Sequence, residues 1–402
     1  MPSPLRSILG CFRPTRPAEE STPSTSTDHA ADTAEARAPR RVSVSLQGLA
    51  TFQGQRIRER QVEISALAPD TRKALSDGEC QLGGYVQGRQ IVGRPVEGTQ
   101  LDRLKRANET VMETRQALAY GRGNVVVDIN DSNGQSAIRA QAGRFVKRQL
   151  PPDYPKGLRI AAGAMAAQAG NCGEHANVAA FLHAAKLGRG EYAYAVGSTT
   201  TDHRWAQWHS SNARDPEHDI VMDPWGKGPA IFAVDGAFAG GEYDVGIERQ
   251  YNRRTGAEAH AQMAELQHDQ HEQMQTNLHA AMEHWGRNFS RANTGVYAAT
   301  PVISTRFAQH VQQQMSEPPD ATKLAPKRRG APARQAAERI RAGERLMAPL
   351  RQQIHATQTA RNLGASGVRE VTQAAKRITQ VVENLEKYPL ASHPAQNAPD
   401  DL

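Results

Sequence analysis

Hydrophobic residues are few and without period over residues 1–42, where a stretch such as TPSTSTDHAADTAEARAP cannot repay the entropy of ordering. A disordered segment is expected there. Beyond it, RVSVSL alternates like a strand, and LDRLKRANETVMETRQAL sets Leu104, Val111 and Leu118 on one helical face. The β-branched run NVVVDI reads as a strand, and SAIRAQAGRFVKRQL as a helix. PPDYP at 151–155 marks a boundary, so residues 43–150 form one mixed α/β region.

After the boundary come an alanine-rich stretch and the helix of GNCGEHANVAAFLHAAKLG, an alanine-rich run that reads as amphipathic and ends at Gly188 and Gly190. EYAYAV, HRWAQWH and DIVMDPW are three short strand candidates, the last two joined as a hairpin through SSNARDPEH. Residues 151–255 thus read as the α+β core: a cysteine helix packed on a small antiparallel sheet. Residues 256–315 are a helical extension, with Met263, Leu266, Met274, Leu278, Met282 and Trp285 on one side. Residues 316–402 hold a linker, a basic helix and a final amphipathic helix. In that helix Val368, Val371, Ala375, Ile378, Val382 and Leu385 form a seam, which fits either docking on the body or pairing with another helix.

Composition narrows the class. The net charge is +7, yet residues 323–351 alone carry nine Lys/Arg against Glu338 and Glu344, so the rest of the chain is neutral overall. That pattern describes one basic, solvated segment, and no nucleic-acid partner is expected. Three widely spaced cysteines, Cys11, Cys80 and Cys172, exclude a disulfide framework or a Cys-rich zinc module and fit a reducing compartment. No apolar run reaches the ~18–20 residues of a membrane span. MPSPLRSILGCF does not read as a secretory signal, and Pro2 stands where N-myristoylation needs glycine.

Cys172 is the candidate nucleophile. A thiol in the first turn of a helix meets free backbone N–H groups and the positive end of the dipole, and both favour the thiolate. Its own N–H is an oxyanion donor, and Asn171 or Gln168 could add a second. The base should come from a facing strand. In DHRWAQWH, His203, Trp205, Gln207 and His209 share a face, and pairing with DIVMDPW sets His203 diagonal to Asp223 and His209 opposite Asp219. His203 with Asp223 is preferred, because Trp205, Trp208 and Trp225 flank it and Pro224 leaves the carboxylate at a strand end. The tryptophans read either as a substrate slot, with Trp205, Trp225 and Asn171 contacting substrate, or simply as core. His175 and His183 read as structural. No metal site or cofactor is expected: no second Cys/His pair, P-loop, GxGxxG or HExxH follows.

The order Cys172, His203, Asp223 resembles the transglutaminase-like branch of the papain fold, and its short Cys-to-His spacing is unlike papain itself. More narrowly, AGNCGEHANVAAFLH, DHRWAQW and DIVMDPWG resemble the AvrPphE/HopX/XopE effectors of plant-pathogenic bacteria, over about residues 100–240. The resemblance implies delivery through a type III secretion apparatus by an unstructured N-terminus. It implies action in the plant cell cytoplasm, at a host membrane or in the nucleus, as a cysteine protease or glutamine deamidase/transglutaminase on host proteins, altering immune signalling. It also implies a catalytic triad of Cys172, His203 and Asp223, and an upstream region, near 100–150, that engages a host target or cofactor. The alternative is a non-catalytic host-protein binder on a papain-like scaffold.

Overall fold

A computed structural model of the chain describes residues 72–211, 215–238, 245–293, 297–316 and 331–385. The expected disordered segment, the RVSVSL strand, Cys11 and the start of the basic segment lie outside them.

Ser76 starts the first described helix, α1 (Asp77–Ile91), with a reciprocal cap: its hydroxyl accepts the Glu79 N–H, and the Glu79 carboxylate accepts the Ser76 N–H at 2.8 Å. Helix α2 (Gly98–Ala117) buries Leu104 and Val111 on its predicted face, and Leu118 just beyond its end is buried with them. A two-residue strand, β1 (Gly121–Arg122), follows.

The run NVVVDI, expected as a strand, is instead the start of a short helix, α3 (Val126–Asp131). Of the apolar residues in this run only Val125 and Ile129 are buried, at i, i+4 spacing, while Val126 and Val127 are exposed. The Asp128 carboxylate also accepts the Arg122 backbone N–H and pairs with its guanidinium, which folds the run back on itself. Local hydrogen bonds and a helical period outweigh β-propensity here.

Helices α4 (Gln135–Gln149) and α5 (Lys156–Ala167) lead to β2 (Ala169–Gly170), which pairs parallel with β1, Gly121 opposite Ala169. Directly after it runs α6 (Cys172–Ala184). The three expected strands are β3 (Tyr192–Ser198), β4 (Arg204–His209) and β5 (Ile220–Met222). Two more, β6 (Ile231–Phe232) and β7 (Val245–Asn252), complete a sheet of order β6-β5-β4-β3-β7, antiparallel at every pairing. The class is α+β.

Helix α6, whose alanine-rich run reads as amphipathic, is instead buried on nearly all sides, with every residue from His175 to Ala184 covered. Ala179, Ala180 and Ala184 share a hydrophobic cluster with β3 and β4. Val178, Phe181 and Leu182 share another with α4, α5 and the 35-residue helix α7 (Arg253–Arg287). The cysteine helix is therefore the middle layer between sheet and helices.

The remaining helices are α8 (Phe289–Ala292), α9 (Thr305–Ser316), α10 (Ala331–Asn362) and α11 (Val368–Glu383). The open question of the final seam resolves to docking on the body. Val371, Ala375, Ile378 and Val382 are buried against α1, where Gly83 and Gly84 let the two helices approach closely: a Cβ at Gly83 would lie 2.6 Å from Ile378.

Candidate active site

Cys172 opens α6, so its N–H is one of the first-turn amides with no carbonyl to bind within the helix. The cap beside it is fixed by charge. The Glu174 carboxylate accepts the Asn171 N–H at 2.8 Å and takes a two-pronged pair from Arg144 at 3.0 and 3.2 Å. Burial alone would raise the Glu174 pKa, but Arg144 and the backbone amides hold it below the usual range. The sulfur itself is buried with Val125 and Trp225.

The hairpin register places the base. Ala206 pairs with Met222, Gln207 with Val221 and Trp208 with Ile220, which sets the two His–Asp pairs at opposite ends of the ladder. At the far end His209 Nδ1 lies 3.5 Å from Asp219. At the near end His203 precedes β4, its backbone pinned by the Ser198 N–H at 2.9 Å and the Thr201 carbonyl at 2.8 Å. His203 Nε2 lies 2.7 Å from Asp223 Oδ2. The Cys172 side chain lies close enough to the same imidazole to help raise its pKa, and both residues pack on Trp225; with Nε2 engaged by Asp223, Nδ1 is the nitrogen left to serve the thiol. The structure thus brings Cys172, His203 and Asp223 together and leaves His209 and Asp219 away from them.

Asp223 is held on both oxygens. Oδ1 accepts the Trp225 and Gly226 N–H groups at 3.1 and 3.0 Å, an Asx turn across Pro224. Gly226 is required by packing: a Cβ there would lie 2.8 Å from Asp223 Oδ2 and 2.7 Å from Val302. Arg115 then fastens the loop, donating to the carbonyls of Pro224, Gly226 and Gly228 at 3.1, 2.8 and 2.8 Å. Burial would by itself raise the Asp223 pKa, but His203, the Gly226 amide and Arg115 keep it lowered. Burial would likewise lower that of His203, yet the Asp223 charge and hydrogen bond, joined by Cys172, push it up to about 10. At neutral pH the ring is an imidazolium beside a carboxylate.

The tryptophans divide. Trp205 and Trp225 pack on the His203 ring, with centroids 5.7 and 5.1 Å away, and both are buried. Trp225 Nε1 donates to Asn124 at 3.1 Å. Trp208 does not flank the pair, because strand alternation turns it onto His183 of α6, 4.6 Å away. His183 also meets Thr110 at 2.9 Å through Nδ1. His175 donates Nδ1–H to the Asn171 carbonyl at 2.9 Å, and burial pulls its pKa down to about 4, so it is neutral. The Asn171 side chain caps α6 in a reciprocal box with Glu174. Gln168 ends α5 in the left-handed region (φ 57°), and its carbonyl accepts the Tyr120 N–H. A depression of about 190 Å³ opens beside His203, between the β3–β4 turn and β7, with the exposed Ile247 in its wall.

Arg115 and Asn124 were not singled out in the sequence. Arg115 had a signal: it lies four residues after Val111 and three before Leu118, a cation in an apolar stripe. Asn124 had none.

Among the described residues no group of three His, Cys, Asp or Glu could hold a metal, and no helix is long and apolar enough to cross a membrane. Compared with protein-family models, curated proteins and solved structures, the chain matches none.

Proposed function

We propose that this chain is a thiol enzyme of acyl transfer on a papain-like, transglutaminase-like core, acting on protein carbonyl groups. One observation carries the reading: a buried His203–Asp223 pair, 2.7 Å apart, packs on the same tryptophan as Cys172, which opens a buried helix. A thiolate, a proton carrier and a group that orients the carrier are what covalent cysteine catalysis needs.

In the reaction, the Cys172 thiolate adds to a peptide or carboxamide carbonyl, and the new oxyanion is met by the Cys172 N–H. His203 gives its Nδ1 proton to the leaving amine, the C–N bond breaks, and a thioester remains. Water or an amine then loses a proton to Nδ1 and attacks the thioester, regenerating the thiolate. Water gives proteolysis or glutamine deamidation; an amine gives transamidation. Asp223 keeps its charge throughout and fixes the ring through Nε2. Proton transfer of this kind contributes about 10²–10⁴ in rate, and a backbone oxyanion donor about 10²–10³.

The motif likeness to AvrPphE/HopX/XopE effectors extends the proposal to type III delivery into plant cells and host proteins as substrates, with proteolysis the first activity to assay. The test is alkylation of each cysteine against pH, mapped by peptide, in wild type and His203→Ala. Fast labelling of Cys172 well below the ~8.5 of a free thiol, lost in the variant, is expected. A Cys172 that reacts no faster than free glutathione, with or without His203, would sink the reading.

A further inference from the structure

Against the Asp223 loop lies a cavity of about 430 Å³, which shares no lining residue with the depression beside His203. That volume falls in the range of small-molecule sites. Its apolar walls come from distant parts of the chain: Leu118 after α2, Ile303, and Val381 and Leu385 at the end of α11. Its charged groups are three cations against the single carboxylate of Asp128, which already pairs with Arg122 at 2.6 Å. Arg115 and Lys227 have no carboxylate within ion-pair distance among the described residues. The carboxylate whose charge Arg115 feels, Asp223, is already paired with His203.

The Arg115 hydrogen bonds show what remains to be given. Nε and Nη2 are used on the loop carbonyls, and Nη1 has no described partner. His175 also lines the cavity, buried, with Nδ1 spent on the Asn171 carbonyl. A cation in an apolar wall favours an anion that can share its hydrogen bonds away from water.

We infer that this cavity is a second site, separate from the depression beside His203, for a small organic anion: an apolar body seated on Leu118, Val381 and Leu385, with one carboxylate or phosphate between Arg115 and Lys227. The ligand would bridge the C-terminal helix and the loop that holds Asp223. The inference concerns binding and stands whether or not Cys172 turns over.

The test is calorimetric titration of the full chain with naphthoate, and with naphthamide and inorganic phosphate as probes lacking the charge or the body. Saturable binding of naphthoate, with naphthamide and phosphate at least about tenfold weaker, is expected. Two substitutions at exposed wall positions separate site from surface. Lys227→Glu removes and reverses one charge and should weaken naphthoate about tenfold or more, while Ala119→Trp should plug the cavity and abolish binding. No saturation at millimolar naphthoate, equal binding of naphthamide, or binding unchanged in both variants would overturn the site.

Discussion

His203 is where charge, proton and stability meet. Its pKa is pushed up to about 10 in the folded chain, against ~6.5 when unfolded. A raised histidine pKa stabilises the fold fully below the unfolded value, and the contribution is lost as pH rises through the folded one. The urea midpoint of the wild type is therefore expected to fall between about pH 6.5 and pH 10, and His203→Gln should remove that part of the slope; equal slopes would show that the ring is not held as an imidazolium. Asp223→Asn tests the same pair from the other side. It keeps the shape but removes the charge, so Cys172 alkylation at neutral pH should slow by about tenfold or more with the Trp225 and Gly226 turn still formed. Asn171, next to Cys172, was legible as part of the same motif, whereas Asn124, whose amide oxygen holds the Trp225 indole from 101 positions away, was not. Nothing in the local sequence records so distant a partner.

Among elements, the hairpin was legible because alternation is a property of a few adjacent residues. The β4–β5 register follows from it, and with it the placing of His203 near Asp223. NVVVDI was misread because residue type outweighed spacing: Val125 and Ile129, four apart, held the helical signal. The seam of α11 was legible as a seam, but its partner was not, since Gly83 and Gly84 lie some three hundred positions earlier. Ile378 is fully buried at that junction, and Ile378→Ala is expected to cost about 2–5 kcal/mol in denaturant unfolding. Gly226→Ala should behave differently. Its methyl group would press on Asp223 and Val302 rather than leave a hole, so Cys172 reactivity should drop more than stability does. A variant as reactive as wild type would show that the Asx turn is not needed to aim the carboxylate.

For the whole molecule, one hydrophobic cluster joins α1, α2, the sheet and the two C-terminal helices. Cys80 lies in it, fully covered, and burial with the neighbouring Glu79 pushes its pKa up to about 11. It should resist alkylation in the native chain and react like a free thiol once the chain is cut before Val368; protection that survives the cut would mean that α11 is dispensable to the core. The same arrangement bears on how the chain is made and moved. Arg377 reaches the Leu75 carbonyl across 302 positions, so the first and last described helices close the core between them. A ribosome, or any channel that passes the chain N-terminus first, delivers Cys172, His203 and Asp223 long before the helix that seals the body around them. Long-range closure of this kind is slow relative to local helix formation. The core shared by the first and last described helices therefore stays open in transit, and its completion is timed by the emergence of residues 368–385.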